Sequence, residues 1–99
     1  MDNILKLKES GSALGLRELA KQLGENIRKS ISENQNIILD FDKVESISSS
    51  FADELVAKIM VEVGQEKFIN HVKIKNTNDF IKTMINTSIA ARLQLNNSH

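Results

Sequence analysis

The chain has 99 residues, with thirteen basic and thirteen acidic side chains, four phenylalanines, and no cysteine, proline, tryptophan or tyrosine. That length makes one domain, residues 1–99, which buries roughly 60 to 65% of its unfolded surface and leaves no cleft between domains. Zero net charge supplies no field to draw in nucleic acid or an anionic membrane, four phenylalanines are a poor supply of base-stacking platforms, and the lack of thiols removes disulfides, thiolate catalysis and sulfur-ligated zinc while suiting a reducing cytoplasm.

Residues Ile4 to Lys8 alternate apolar and basic and read as a short strand. Lys6 and Lys8 interrupt the apolar run, so neither a signal peptide nor a membrane span is expected there. A turn follows from Glu9 to Ser12 around Gly11. Leu16, Leu19, Ala20, Leu23, Ile27 and Ile31 then recur at helical spacing, on a helix that frays near Glu33 to Asn36. Gly24 sits in its middle at a cost of about 1 kcal/mol relative to alanine, which reads as close backbone packing rather than function.

Ile37 to Phe41 has the length and β-branched character of a fully buried central strand. After the isolated Val44 and Ile47, the residues Phe51, Ala52, Leu55, Val56, Ile59, Met60 and Val63 share one helix face. Ser50 is the expected N-cap, with Asp53 reaching back as in a capping box, and Gly64 the expected C-cap. Asp53 and Glu54 also suit the positive end of the helix dipole. Ile69 to Lys75 reads as a third strand, with Val72 and Ile74 on one side and His71, Lys73 and Lys75 on the other. Thr77 or Asn78 then caps a last helix whose stripe is Phe80, Ile81, Met84, Ile85, Ile89 and Leu93.

The order β-α-β-α-β-α predicts a small two-layer α/β domain with a mainly parallel sheet. Its inner face carries Leu5, Leu7, Ile37, Leu39, Phe41, Val72 and Ile74. The opposite face carries Ile4, Lys6, Lys8, Ile38, Asp40, Asp42, His71, Lys73 and Lys75, a charged set that belongs in water. Three strands leave two open edges. A homodimer, through such an edge or through Met84 and Ile85 of the last helix, is therefore expected, as is completion by another protein.

No chemistry-bearing constellation emerges. Asp40 and Asp42 stand two apart on one strand, but neighbouring lysines make ion pairs on a wet face the better account than acid–base work or magnesium binding. His71 and His99 have no ligand spacing around them, so no metal and no cofactor is expected. Without a phosphate-binding Gly-rich loop or a nucleophile elbow, the chain reads as a non-enzyme. The carboxyl ends of the strands carry Gly11 and Ser12, Ser46 to Ser50, and Asn76 to Asn78, where ligands collect in open α/β sheets. One reading of Gly11, Ser12, Ser48 and Ser49 is a site for a phosphate, nucleotide or other anion. The other is simple turn and cap chemistry.

A strand ending in Asp40, the spacing Val44-x-x-Ile47 and a serine pair opening a helix together resemble the core of the STAS domain, which anti-anti-sigma factors and the cytoplasmic tails of sulfate transporters share. That family commonly has Asp-Ser-Ser-Gly where this chain has Ser48, Ser49, Ser50 and Phe51. The wording from Ser49 to Leu55, Ser-Ser-Phe-Ala-Asp-Glu-Leu, is similar to a bacterial STAS-like family of unknown function. The likeness runs from about Ile37 to Leu93. It implies a regulatory protein-interaction domain that partners a histidine-kinase-like ATPase or serine kinase through Ser48, Ser49, Ser50, Phe51, Asp53 and Glu54. It also implies phosphorylation of Ser49, which Asp53 and Glu54 would oppose by repulsion. STAS domains usually carry one more strand and helix than the three pairs read here.

Overall fold

The computed structural model describes residues 3–97. In chain order its elements are β1 (Asn3–Lys6), a 3-10 turn (Leu7–Ser10), β2 (Ala13–Leu14), α1 (Arg17–Ser32), β3 (Ile37–Asp40) and β4 (Ser46–Ile47), then α2 (Ser49–Ala52), a π turn (Asp53–Ala57), α3 (Lys58–Val63), α4 (Gln65–His71), β5 (Val72–Lys75) and α5 (Asp79–Asn97).

The aliphatic run of β3 is central because both its neighbours pair with it in parallel, in the order β1-β3-β5. The register sets Leu5, Leu39 and Ile74 side by side on one face and Lys6, Asp40 and Lys75 on the other. Leu39 is fully buried whereas Ile4 is 59% exposed. The helices therefore cover a single face, as the charge pattern predicts. Ile27 and Ile31 of α1, Phe51, Leu55, Val56 and Ile59 of the middle helix, and Ile81 and Ile85 of α5 join the inner strand residues in one core.

From Ser49 to Val63 the chain is one continuous helix with a π turn inside it. The wider i→i+5 turn inserts a residue, and Glu54, Leu55, Val56 and Ala57 are buried in succession. Gly24 of α1 faces this segment. A Cβ there would come 3.1 Å from Ile59 Cδ1 and 3.3 Å from Arg28 Nη1, the ends of two long side chains, and into ordinary contact, 3.9 Å, with the Glu54 carbonyl, so the glycine relieves side-chain crowding between the two helices. Gly64, at φ 96°, ends the helix and donates its N–H to Met60, as expected of a C-cap.

Several expectations need correction. The first strand stops at Lys6, because Leu7 is drawn into the core by the 3-10 turn. The third strand begins at Val72 rather than Ile69: Gln65 to His71 form α4, which buries Phe68 and leaves Ile69 56% exposed. His71 consequently leaves the outer face of the sheet and ends α4, with Nδ1 3.1 Å from the Gln35 carbonyl. A second, two-stranded parallel sheet, Ala13 with Ser46 and Leu14 with Ile47, occupies what reads in sequence as loop, and it buries Leu14 and Ile47. In α5, capped by Asn78 through its Oδ1 and the Ile81 N–H at 2.8 Å, Ile85 is committed to the chain's own core while Phe80 is 52% exposed.

Leu39→Ala is expected to cost about 2 to 5 kcal/mol by opening a cavity beneath the helices, and Lys73→Ala less than ~0.5 kcal/mol. Urea unfolding of both variants checks this, and equal losses would contradict a sheet covered on one face.

Candidate functional site

Each of α1, α2 and α5 starts at the carboxyl end of the parallel strands, where ligand and partner sites gather in such sheets. The middle start is fixed by Ser48. Its backbone is extended (φ −83°, ψ 163°), its N–H donates to Leu14, and its Oγ accepts from the Phe51 N–H at 3.0 Å while donating to the Gly15 carbonyl at 2.9 Å. Ser48, not Ser50, is thus the N-cap, because only Ser48 meets the carbonyl that α1's leading segment supplies. Ser49 becomes the exposed first residue of α2 and Ser50 is half-buried. Phe51 is fully buried and packs in the core, so its side chain is no part of the surface.

Asp53 and Glu54 face cations rather than the helix start. Arg92 donates from Nε (2.6 Å) and Nη2 (2.8 Å) to the two oxygens of Asp53, a two-point clamp between α5 and the π turn. Arg17 at the head of α1 donates from Nη1 to Asp53 Oδ2 (3.1 Å) and to Glu54 Oε1 (3.0 Å). Lys58 lies 3.2 Å from Glu54 Oε2, an ion pair without the alignment of a hydrogen bond. Arg92 chiefly, and Arg17 after it, hold the Asp53 carboxyl below the ordinary range against the effect of burial. Burial by itself would push Glu54, 3% exposed, upward; Arg17 and Lys58 together more than offset it and bring it below its ordinary value. Neither Arg17 nor Arg92 stands out by motif. A signal for Arg92 existed, though, since it is the one charged residue in the sequence from 83 to 97.

Of the groups read as an anion site, the Gly11 N–H and Ser48 Oγ are already paired, whereas Ser49 stands exposed. Gly11 donates its N–H to Lys8 (2.9 Å), and the Ser12 carbonyl accepts from Glu45 (2.8 Å) and Ser46 (3.2 Å). Asn78 Nδ2 donates to the Glu45 carbonyl at 2.9 Å, which ties α5's start to the same loop. With Ser48 Oγ also committed, these groups lace three loops into one surface. Two large apolar side chains stand exposed at the helix starts: Leu16, 72% exposed just before α1, and Phe80 in the first turn of α5. Sequence periodicity places both in apolar stripes, whereas the helix starts turn them outward.

Asp42 lies in the turn after β3, and its N–H donates to Asp40 Oδ1 at 2.9 Å, so the two carboxylates do not form a pair along one strand. The Asn76 amide, then that N–H, and more weakly Lys6 and Lys75 hold Asp40 below its usual value. Among the described residues no group of three or more His, Asp or Glu side chains is placed to hold a metal, and no helix is long and apolar enough to cross a membrane. His99, the other histidine of the sequence, lies outside the described residues.

A family model described as a STAS-like domain of unknown function matches residues 20–82, from α1 to the first turn of α5. No curated protein and no solved structure gives a significant match.

Because the folded pKa values of Asp53 and Glu54 are depressed, the stability they contribute is fully present above their unfolded values of about 3.9 and 4.3 and is lost as pH falls through the folded ones. Arg92→Met, which keeps the bulk, is expected to cost about 1 to 2 kcal/mol at pH 7, a figure discounted for partial exposure, and much less near pH 2. Urea unfolding at the two pH values measures the gap. An unchanged gap would mean that Arg92 stabilises by packing and not through Asp53.

Proposed function

Since this chain belongs to the family of STAS-like domains of unknown function and folds as a mixed α/β domain with parallel strands, we propose that it is a regulatory protein-interaction domain, not an enzyme, which docks a partner protein on the surface where α1, α2 and α5 begin. The observation that carries this reading is the exposure of Ser49 at the start of α2, together with that of Leu16 just before α1 and of Phe80 in the first turn of α5. Scattered exposed apolar residues are ordinary. Two at helix starts on the same end of the sheet, with a polar helix start between them in the chain, have the make-up of a docking patch, where apolar anchors exclude water and polar groups form the rim.

The same arrangement supports control by modification. A phosphate on Ser49 would sit at the first residue of the helix, where the dipole favours an anion. Asp53, which by sequence alone should repel it, is one turn further on and already clamped by Arg92 and Arg17. Charge added beside Leu16 and Phe80 would weaken an apolar contact without disturbing the core. The partner we propose is a histidine-kinase-like ATPase, the kind that the STAS resemblance implies, which would both bind this surface and phosphorylate Ser49.

Calorimetric titration with such an ATPase from the same genome tests the reading. Leu16→Asp and Phe80→Asp are each expected to weaken binding about tenfold or more, or roughly 1.4 kcal/mol, with Ser49→Glu acting in the same direction and Lys73→Ala changing it less than about twofold. Wild-type affinity in a folded Leu16→Asp, Phe80→Asp double variant would overturn it.

A further inference from the structure

On a different face, at the β5 edge, we infer a second docking site that accepts an extended strand from a partner protein, with apolar residues turned inward and acidic residues turned outward. Two independent features meet there. The first is an open edge: β5 is terminal in the sheet and, among the described residues, pairs only with β3. Lys75 turns its carbonyl to the Phe41 N–H. Alternation along the strand then points the N–H and carbonyl of Ile74 away from β3, toward the edge, as one donor and one acceptor for an added strand.

The second feature is a cavity of about 160 Å³ beside that edge, lined by Ile74, Thr77, Lys82, Ile85 and Asn86. Ile74 lies on the inner face in register with the fully buried Leu39, yet stays only half-buried, because the helix layer stops short of the edge. Ile74 and the buried Ile85 supply its apolar part beside Thr77, Lys82 and Asn86, and its volume has room for a single valine or leucine side chain. A fourth strand hydrogen-bonded to Ile74 would carry every second side chain into the space between sheet and α5.

Charge selects the occupant. Lys73 and Lys75 are exposed on the outer face of β5, so the outward positions of an added strand meet ammonium groups and are satisfied by aspartate or glutamate. A second copy of this chain, pairing β5 with β5, would set lysine against lysine. The opposite edge offers no such fit: the cavity lined by Asn3, Asn26, Lys29, Ser30, Glu33 and Gln35 is polar.

The test titrates the full chain into a fluorescein-labelled synthetic octapeptide that alternates glutamate with valine and leucine, followed by anisotropy. Saturable binding is expected, about tenfold or more weaker for the matching lysine peptide and for a peptide N-methylated at the amides of its pairing edge. Hydrogen exchange at the Ile74 amide should slow about tenfold or more in the complex. Lys73→Glu with Lys75→Glu, confirmed as folded by cooperative melting, should lose at least about tenfold in affinity, and the milder Lys73→Ala with Lys75→Ala should weaken it less. Equal binding of the N-methylated peptide would reduce the effect to general charge attraction and overturn strand addition, as would no binding at all. A chain that sediments as a dimer with its Ile74 amide already protected would give the edge to a second copy and overturn the acidic occupant.

Discussion

A carboxylate with 3% of its surface in water must be given cations, and the way Glu54 is supplied organises the helix layer. Arg17 reaches it from the first turn of α1 and Lys58 from one turn along its own helix. The neighbouring Asp53 shares Arg17 and takes the two-point grip of Arg92 from α5. One acidic pair on the π turn therefore ties the middle helix to both its flanking helices. Gly24 of α1 faces the same segment, and a Cβ there would crowd Ile59 Cδ1 at 3.1 Å. Breaking a fully buried ion pair costs about 3 to 5 kcal/mol and breaking an exposed one less than about 1. With Arg17 and Arg92 partly in water, this cluster lies between the two.

That clamp divides the serine-rich segment into a frame and a face. Ser48, Phe51, Asp53 and Glu54 are held by partners distant in sequence: Gly15, the core, Arg92 and Arg17. Ser49 alone among the six residues implied by the STAS resemblance is exposed, and Leu16 and Phe80, which that resemblance does not touch, are exposed at the other two helix starts. Departure from the family's usual Asp-Ser-Ser-Gly has a physical counterpart here. Phe51, at the glycine position, fills the core beneath the turn, while Ser48, at the acidic position, still caps the helix.

Where burial dictates residue type along a regular element, the sequence is readable: the three strand cores, the faces of the sheet and the stripe from Phe51 to Val63 follow from periodicity alone. The N-cap does not. Three consecutive serines are equivalent by local rules, and the choice among them falls to a carbonyl 33 residues away. Asp53 and Glu54 likewise suit a helix dipole in sequence, whereas their actual partners lie 36 to 39 residues off. The β2–β4 sheet has two residues per strand, too short for any alternation to register. Ile69 looks like the start of a strand because it is β-branched, but the helix that follows Gly64 without a break runs through it.

The account rests on the claim that the helix starts form the docking surface while the acidic pair behind them is structural. Chemical-shift mapping of the isotope-labelled chain, titrated with the proposed partner, a histidine-kinase-like ATPase, reads this most directly. The account predicts that the largest perturbations fall on the backbone amides of Leu16, Arg17, Ser49, Ser50, Asp79 and Phe80. Perturbations centred on Gln35, Asn36 and Ile69 to His71 instead, at the opposite end of the strands, would contradict it.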